Sequence, residues 1–357
     1  MFATSSGSIV AVCATEISVG FGRNSCSLHV NQTSGNSHMS RVVVIGAYGH
    51  IGTYLVPRLV EAGHEVIALS RGQAKPYLPH AAWAKVTPKI MDRVALEKTG
   101  QFGPAVAALN ADIVIDLICF TVDSTRQLVA ALQGKVSHLI HIGTIWTHGY
   151  STVVPTPEHA PKFPFGDYGV QKKLIEDFLL VEARRNGLPV TLIHPGHIVG
   201  QGWVPLNPAG NFNPAVFEAI ARGEVLSLAN FGLETVHHIH ADDIAALIMA
   251  AIANWRQSTG ESFHAVSEQA VTLRGFAEAM YRWFGHEPLL AFQPYETWAL
   301  GQSVEDAQAT WEHVARSPNC SMEKARRILG FRPRYGSIEA VQQSLQWLID
   351  HGEIKTT

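Results

Sequence analysis

Tyr168 and Lys172 stand four residues apart in Tyr168-Gly-Val-Gln-Lys172. On a helix that spacing puts a phenol and an ammonium on one face. A free phenol titrates near 10, too high for acid–base work at neutral pH. A neighbouring ammonium favours the phenolate and brings it into range. Such a pair can move a proton to or from a substrate oxygen. By itself it is a frequent coincidence, equally a surface tyrosine beside a solvated lysine. A second motif upstream changes its meaning. Arg41-Val-Val-Val-Ile-Gly46-Ala-Tyr48-Gly49-His50-Ile51-Gly52 is an apolar, β-branched run that ends in three glycines spaced three apart. The run has the character of a strand buried on both faces.

Ile51, Leu55, Val56, Leu59 and Val60 follow at helical spacing, then a turn and a second apolar run, Glu65 to Ser70. Strand, glycine turn, helix and strand in about thirty residues is the size of a dinucleotide-binding unit. Gly46 permits the tight turn, Gly49 lets the backbone approach a pyrophosphate, and Gly52 lets the helix pack on the strand. The anion would lie at the helix N-terminus. The cofactor-binding set read from the turn is Gly46, Tyr48, Gly49, His50, Ile51 and Gly52. The end of the second strand chooses between cofactors: an acid binds a ribose 2′-hydroxyl, an arginine a 2′-phosphate. Ser70-Arg71-Gly72 has no acid. NADP(H) is favoured, with Ser70 and Arg71 as contacts, and NAD(H) stays open, since Arg71 would otherwise be a solvated loop cation.

The order of motifs resembles that of the extended short-chain dehydrogenase/reductases, the superfamily of sugar-nucleotide epimerases and dehydratases. The resemblance runs over roughly residues 41–350. His138-Leu-Ile-His-Ile-Gly143-Thr144-Ile-Trp-Thr-His-Gly149 fits the strand and hydroxyl residue that precede the family's tyrosine. Asp112-Ile-Val-Ile-Asp-Leu-Ile looks like its fourth strand. Leu192-Ile-His194-Pro195-Gly196-His-Ile-Val-Gly200 is similar to its Arg-Pro strand and loop, with His194 in place of the arginine. His238-Ile-His-Ala-Asp242-Asp243 and Cys320-Ser-Met-Glu-Lys-Ala-Arg-Arg-Ile-Leu-Gly-Phe-Arg-Pro match later signatures. The resemblance implies Tyr168 as acid/base, Lys172 as its partner and ribose ligand, and Thr144 as the hydroxyl on the reacting oxygen, with Thr147 as a stand-in. It also places His194 among the cofactor contacts.

The implied fold is α/β, a doubly wound parallel Rossmann sheet with a smaller, interleaved C-terminal substrate-binding cap. Residues 39–200 and about 236–257 would form the cofactor-binding domain, and about 201–235 with 262–351 the cap. Residues 1–38, rich in Ser, Gly, Asn and Thr with Arg23 as their one Lys or Arg, read as a disordered extension, a mis-called start or a weak transit peptide. Trp146, His148, His197, His238 and the loop 201–213 are expected around the substrate.

The family's sugar-nucleotide enzymes carry an arginine where this chain has Glu234-Thr-Val-His-His238. That departure, with Arg316 as an uncertain later counterpart, favours hydride transfer between nicotinamide and a small alcohol or carbonyl compound. A nucleotide-sugar epimerase or dehydratase that retains NAD is the alternative. A non-catalytic or RNA-associated member is a third reading.

Net charge is −3 with 16% charged residues and no long basic run, so nucleic acid is not an expected partner. The longest apolar helix, Ile244 to Asn254, is too short to span a bilayer. Cys13, Cys26, Cys119 and Cys320 form no C-x-x-C pair, which fits a reducing compartment and no zinc site. The cluster His237-His238-Ile-His240 lacks ligands at metal spacing, and no metal is expected. A small-molecule substrate, a homodimer as the family's habit and the cytoplasm complete the expectations.

Overall fold

The structure, a computed structural model, describes residues 39–356. The expectations for residues 1–38 lie outside them.

Seven strands form one parallel sheet: β1 (Arg41–Ile45), β2 (Glu65–Ser70), β3 (Thr87–Ile90), β4 (Ile113–Asp116), β5 (His138–Ile142), β6 (Val190–Pro195) and, much later in the chain, Glu261–Ala265. The order is 3-2-1-4-5-6 with Glu261–Ala265 outside β6, the doubly wound arrangement in which the switch point lies between β1 and β4. Each central strand alternates between the two faces, as a period of two requires. Val42, Val44, Ala68, Ile115, Ile140 and Ile193 pack on one face with Leu55, Val56 and Leu59 of α1 (His50–Glu61) and with Ile244, Leu247 and Ile248 of the helix Ala241–Ala253. Val43, Ile45, Leu69, Val114, Leu139 and Leu192 pack on the other. They meet the helices that follow the short α2 (Arg93–Glu97): Phe102 and Val106 from α3 (Phe102–Ala107), Leu128 and Val129 from α4 (Val122–Leu132), and Ile175 and Leu179 from α5 (Gly166–Asn186). β3 is exposed throughout and carries Pro88 and Lys89, both of which discourage further pairing at an edge.

A second core, built around Phe217, Leu226, Leu228, Phe276, Met280, Tyr281, Val341 and Leu345, belongs to the C-terminal part. Its frame is three two-stranded pairs: His197–Val199 with His238–His240, Leu226–Ala229 with Leu290–Gln293, and Thr235–Val236 with Val271–Thr272. Two boundaries differ from expectation. Residues 262–265, expected in the cap, belong to the strand Glu261–Ala265, which pairs with β6 from Glu261↔Thr191 to Ala265↔Pro195. Val236 and His238–His240, expected in the main sheet, pair in the small ones instead. Glu-Ser-Phe-His-Ala does not read as a buried strand because three of its five residues are polar. Its polar groups are satisfied in place, with His264 bonded to His148 and Ser262 to Glu176.

Gly52 shows how tightly α1 meets β1. A Cβ there would lie 2.1 Å from the Ala47 carbonyl oxygen, a backbone atom that cannot step aside. Gly52→Ala is expected to lower stability by about 1–3 kcal/mol, the usual range for overpacking, and to abolish binding of a nicotinamide dinucleotide. A denaturant midpoint and a fluorescence titration check both; a variant with normal affinity overturns the assignment of this turn.

Candidate active site

A cavity of about 420 Å³ opens at the carboxyl ends of β1, β4, β5 and β6. Gly46, Gly49, His50, Ile51 and Gly52 form one wall, Ile118 and Phe120 another, and Thr144, Trp146, Tyr168 and Lys172 a third. His197, Trp203 and Phe212 line the side towards the C-terminal part. The glycine turn fits a dinucleotide. Gly46 has φ +87°, and a Cβ on it would come 2.7 Å from Ile118. Gly49 caps α1 with no side-chain hydrogen bond, which leaves the first-turn N–H groups open to an anion. Tyr48 points elsewhere, stacked on Trp83 at 5.2 Å. His50 lies flat against Trp203, ring centroids 4.8 Å apart, and bonds Tyr77. Trp203 arrives on a loop whose Gly202 leaves no room for a side chain, since a Cβ would sit 2.2 Å from the Tyr77 ring.

A second cavity of about 380 Å³ adjoins the first through shared Ile118 and Phe120. Ser70 and Arg71 line it. Arg93 lines it too: its Nη1 reaches Asp116 at 2.8 and 3.0 Å and its Nε reaches Glu97 at 2.7 Å and Ser124 at 3.0 Å, while its buried Nη2 has no partner among the described residues. Burial alone would raise the Asp116 carboxyl, yet Arg93 more than offsets that and holds it below the usual range. Arg71 is exposed.

The three residues of the acid–base reading come together. Lys172 is buried and donates to the carbonyls of Cys119 (2.7 Å) and Ile142 (2.8 Å). An ammonium has three N–H donors, so one is left over. Its nitrogen lies 5.8 Å from the Tyr168 ring centroid and 5.2 Å from that of Phe120. Burial pushes the Lys172 ammonium down to about 8, while Asp116 pulls the other way. Tyr168 is 41% exposed because its ring borders the open cavity. Desolvation at its hydroxyl raises the phenol, and the Thr144 hydroxyl opposes that rise. Thr144 also begins the turn Ile145–His148, accepting from the Trp146 N–H at 3.2 Å.

Other expected residues sit outside the cavity. Thr147 is fully buried, donating to the Thr144 carbonyl at 3.1 Å. His148 is buried against His264, Nε2 to Nε2 2.8 Å, and His238 bonds the Ser337 hydroxyl at 2.6 Å. His194 is buried under Gly143 and Thr144. His194 and His238 stand on strands and His148 ends the turn after β5, and in none of these places does the sequence show which layer an imidazole enters. His237 and His240 likewise serve structure: His237 bonds the Ser267 carbonyl, and His240 caps the helix Ala241–Ala253. His148, His264 and Cys320 hold their ligand atoms within 4.8 Å of one another, but two nitrogens 2.8 Å apart are at hydrogen-bond distance. Arg316 is 1% exposed, with its guanidinium 3.8 Å from the ring centroids of both Trp146 and Phe165. Phe212 lies in the expected 201–213 loop, whereas Ile118 and Phe120 go beyond the expected residues, with only the apolar residues after β4 as a hint.

A family model described as the NAD dependent epimerase/dehydratase family matches residues 42–265. The chain is 26% identical over 316 residues to a 2′-dehydrokanamycin reductase of Streptomyces kanamyceticus, covering 88% of this chain and 86% of that one. It is 24% identical to the chloroplast stem-loop binding protein of 41 kDa b of Arabidopsis thaliana, covering 88% and 82%. Among solved structures, an epimerase from Methanothermobacter thermautotrophicus superposes with a TM-score of 0.69 at 20% identity, covering 89% of this chain and 94% of the other. That likeness is one of fold.

Proposed function

Since the chain belongs to the NAD-dependent epimerase/dehydratase family of enzymes, we propose that it is an NADP(H)-dependent oxidoreductase that moves hydride between nicotinamide and the carbon of a neutral alcohol or carbonyl compound. The observation that carries this reading is the joint placement of Thr144, Tyr168 and Lys172 on one wall of the cavity that begins at the glycine turn. The nicotinamide, when bound, supplies or accepts the hydride. Thr144 holds the substrate oxygen, Tyr168 gives or takes its proton, and the Lys172 ammonium favours the phenolate through its charge. Its remaining N–H is free for a ribose hydroxyl.

The substrate end supports a neutral molecule over a nucleotide sugar. It is walled by Trp146, Trp203, Phe212 and His197, and among the described lining residues Lys172 is the only Lys or Arg. Arg316 is sandwiched between two rings, with bonds to the carbonyls of Phe165 and Glu312. Burial, and then His313, His238 and Arg316, keep His197 neutral. Its Nε2 is buried with no partner among the described residues, which suits a bond to a substrate hydroxyl. The reductase relative spans most of both chains. No helix of the described residues is long and apolar enough to cross a membrane. Cytoplasm is the proposed compartment, where Cys119 and Cys320 stay free. A homodimer would use the exposed Val170, Leu174 and Val181 of α5.

The test is to denature fresh protein and identify the released nucleotide, then titrate NADPH and NADH. Protein that is empty and prefers NADPH supports a dissociable hydride donor. Stoichiometric NAD(H) carried through purification overturns that and favours the epimerase. Arg71→Ala is expected to weaken NADPH at least about tenfold, or about 1.4 kcal/mol, with NADH unchanged. Equal loss for both cofactors removes Arg71 from 2′-phosphate binding.

A further inference from the structure

Along α5, the residue one turn beyond Tyr168 and Lys172 on the same face is Glu176. It is 3% exposed, and a carboxylate is buried only where charge and hydrogen bonds compensate it. Two donors converge on its Oε1, the Lys162 ammonium and the Ser262 hydroxyl at 3.1 Å, and His194 Nε2 stands 3.2 Å from the same oxygen. None of these residues lines the cavity. Burial would raise the Glu176 carboxyl, but His194 and then Lys162 hold it below the ordinary range, so it is ionised.

His194 is the link to the site. It stands on β6 with Nδ1 3.1 Å from the Thr144 N–H nitrogen and 3.1 Å from the Thr144 carbonyl oxygen. A neutral ring protonated at Nε2 sets that proton beside the Glu176 carboxylate and accepts the Thr144 N–H at Nδ1, and a doubly protonated ring donates to the Thr144 carbonyl. In both forms Glu176 fixes the ring so that Nδ1 faces Thr144. Gly143 makes the approach feasible, because a Cβ there would lie 2.3 Å from Nδ1. On the other side, Lys172 holds the Ile142 carbonyl. The end of β5 is thereby tied to α5 twice, at Ile142 by Lys172 and at Thr144 through His194 and Glu176.

We propose that Lys162, Glu176 and His194 form a buried positioning network that sets the reach between Thr144 and Tyr168. Its role in turnover rests on the acid–base reading above; the geometric claim does not. Placement matters here because about 1 Å of displacement at reacting groups can reduce rate about a hundredfold.

Two measurements on the full chain need no substrate. Hydrogen–deuterium exchange of the peptide spanning 143–149 reports the Thr144 amide. In Glu176→Gln its exchange should quicken at least about tenfold, as release of the Thr144 N–H from His194 implies. Should that variant not fold, His194→Gln, which loses Nδ1, should give the same result. The second readout is the titration of Tyr168 by NMR of carbon-labelled tyrosine, its signal assigned by its absence in Tyr168→Phe. Glu176→Gln and Thr144→Val should each shift the titration upward, and the double variant no further than Thr144→Val alone. Unchanged exchange at Thr144, or additive shifts, overturns the network. Turnover that survives Tyr168→Phe, with the exchange effect intact, would instead sink the catalytic reading and leave the network standing.

Discussion

Tyr168→Phe lowers kcat at least about a hundredfold, the lower end for loss of a general acid–base group, and leaves NADPH affinity nearly unchanged. The phenol is the one acid–base group on the cavity wall flanked by both a hydroxyl and an ammonium. Phenylalanine keeps the ring that packs near Trp146 and Phe120 and removes only the proton carrier. The measurement is NADPH oxidation with the best substrate from a screen of neutral cyclic ketones and ketosugars, beside a cofactor titration of the same variant. The wild-type pH profile carries a second mark. Lys172 is charged below about 8 and neutral above it, so kcat/KM should fall through that point as the phenolate loses its support. Near-normal turnover of the variant removes Tyr168 from the mechanism, whatever the cofactor.

Acid should unfold this protein at unusually mild pH. Burial pushes His50, His141, His148 and His238 down to about 3 and His138, His237, His240 and His313 to about 4. His197 and His264 are held well below their ordinary value by the same cause. In the unfolded chain each titrates near 6.5. Between those values the unfolded state binds protons that the folded state refuses, so stability is present above about 6.5 and is lost as pH falls towards 4 and 3. Each such group contributes up to about 1.4 kcal/mol per pH unit in that window. Even four of them acting fully would remove roughly 5 kcal/mol per unit, comparable to the net stability of many domains. Denaturant midpoints recorded between about pH 7 and pH 5 should drop steeply. A flat series overturns the claim that these imidazoles are buried neutral.

The sequence disclosed the elements that depend on local pattern. The run Val42 to Ile45, the helical spacing from Ile51 to Val60 and the glycine triplet place the cofactor turn without reference to the rest of the chain. Thr144, Tyr168 and Lys172 were legible because spacing along one helix and position after a strand are one-dimensional facts. The histidines were not. His194, His148 and His238 lie on or beside strands where one residue's difference decides between cavity and core, and their partners Glu176, His264 and Ser337 are distant in sequence. Glu176 was visible as one more polar residue on a helix; only the packing of β6 against α5 gives it a task. Glu261–Ala265 eluded the reading for a related reason, since its polar residues look solvated until their buried partners are known.

That last strand has a consequence for how the protein is made. On the ribosome, residues 41–195 emerge with six strands in hand, and β6, Val190-Thr-Leu-Ile-His-Pro195, forms the growing border of the sheet. Its outer row of N–H and C=O groups stays unpaired until residues 261–265 have been translated. An uncovered apolar edge is a template for unwanted pairing. A nascent chain halted before Glu261 is therefore the species in which chaperone demand and aggregation concentrate, and it also lacks Ser262, a hydrogen-bond donor to Glu176.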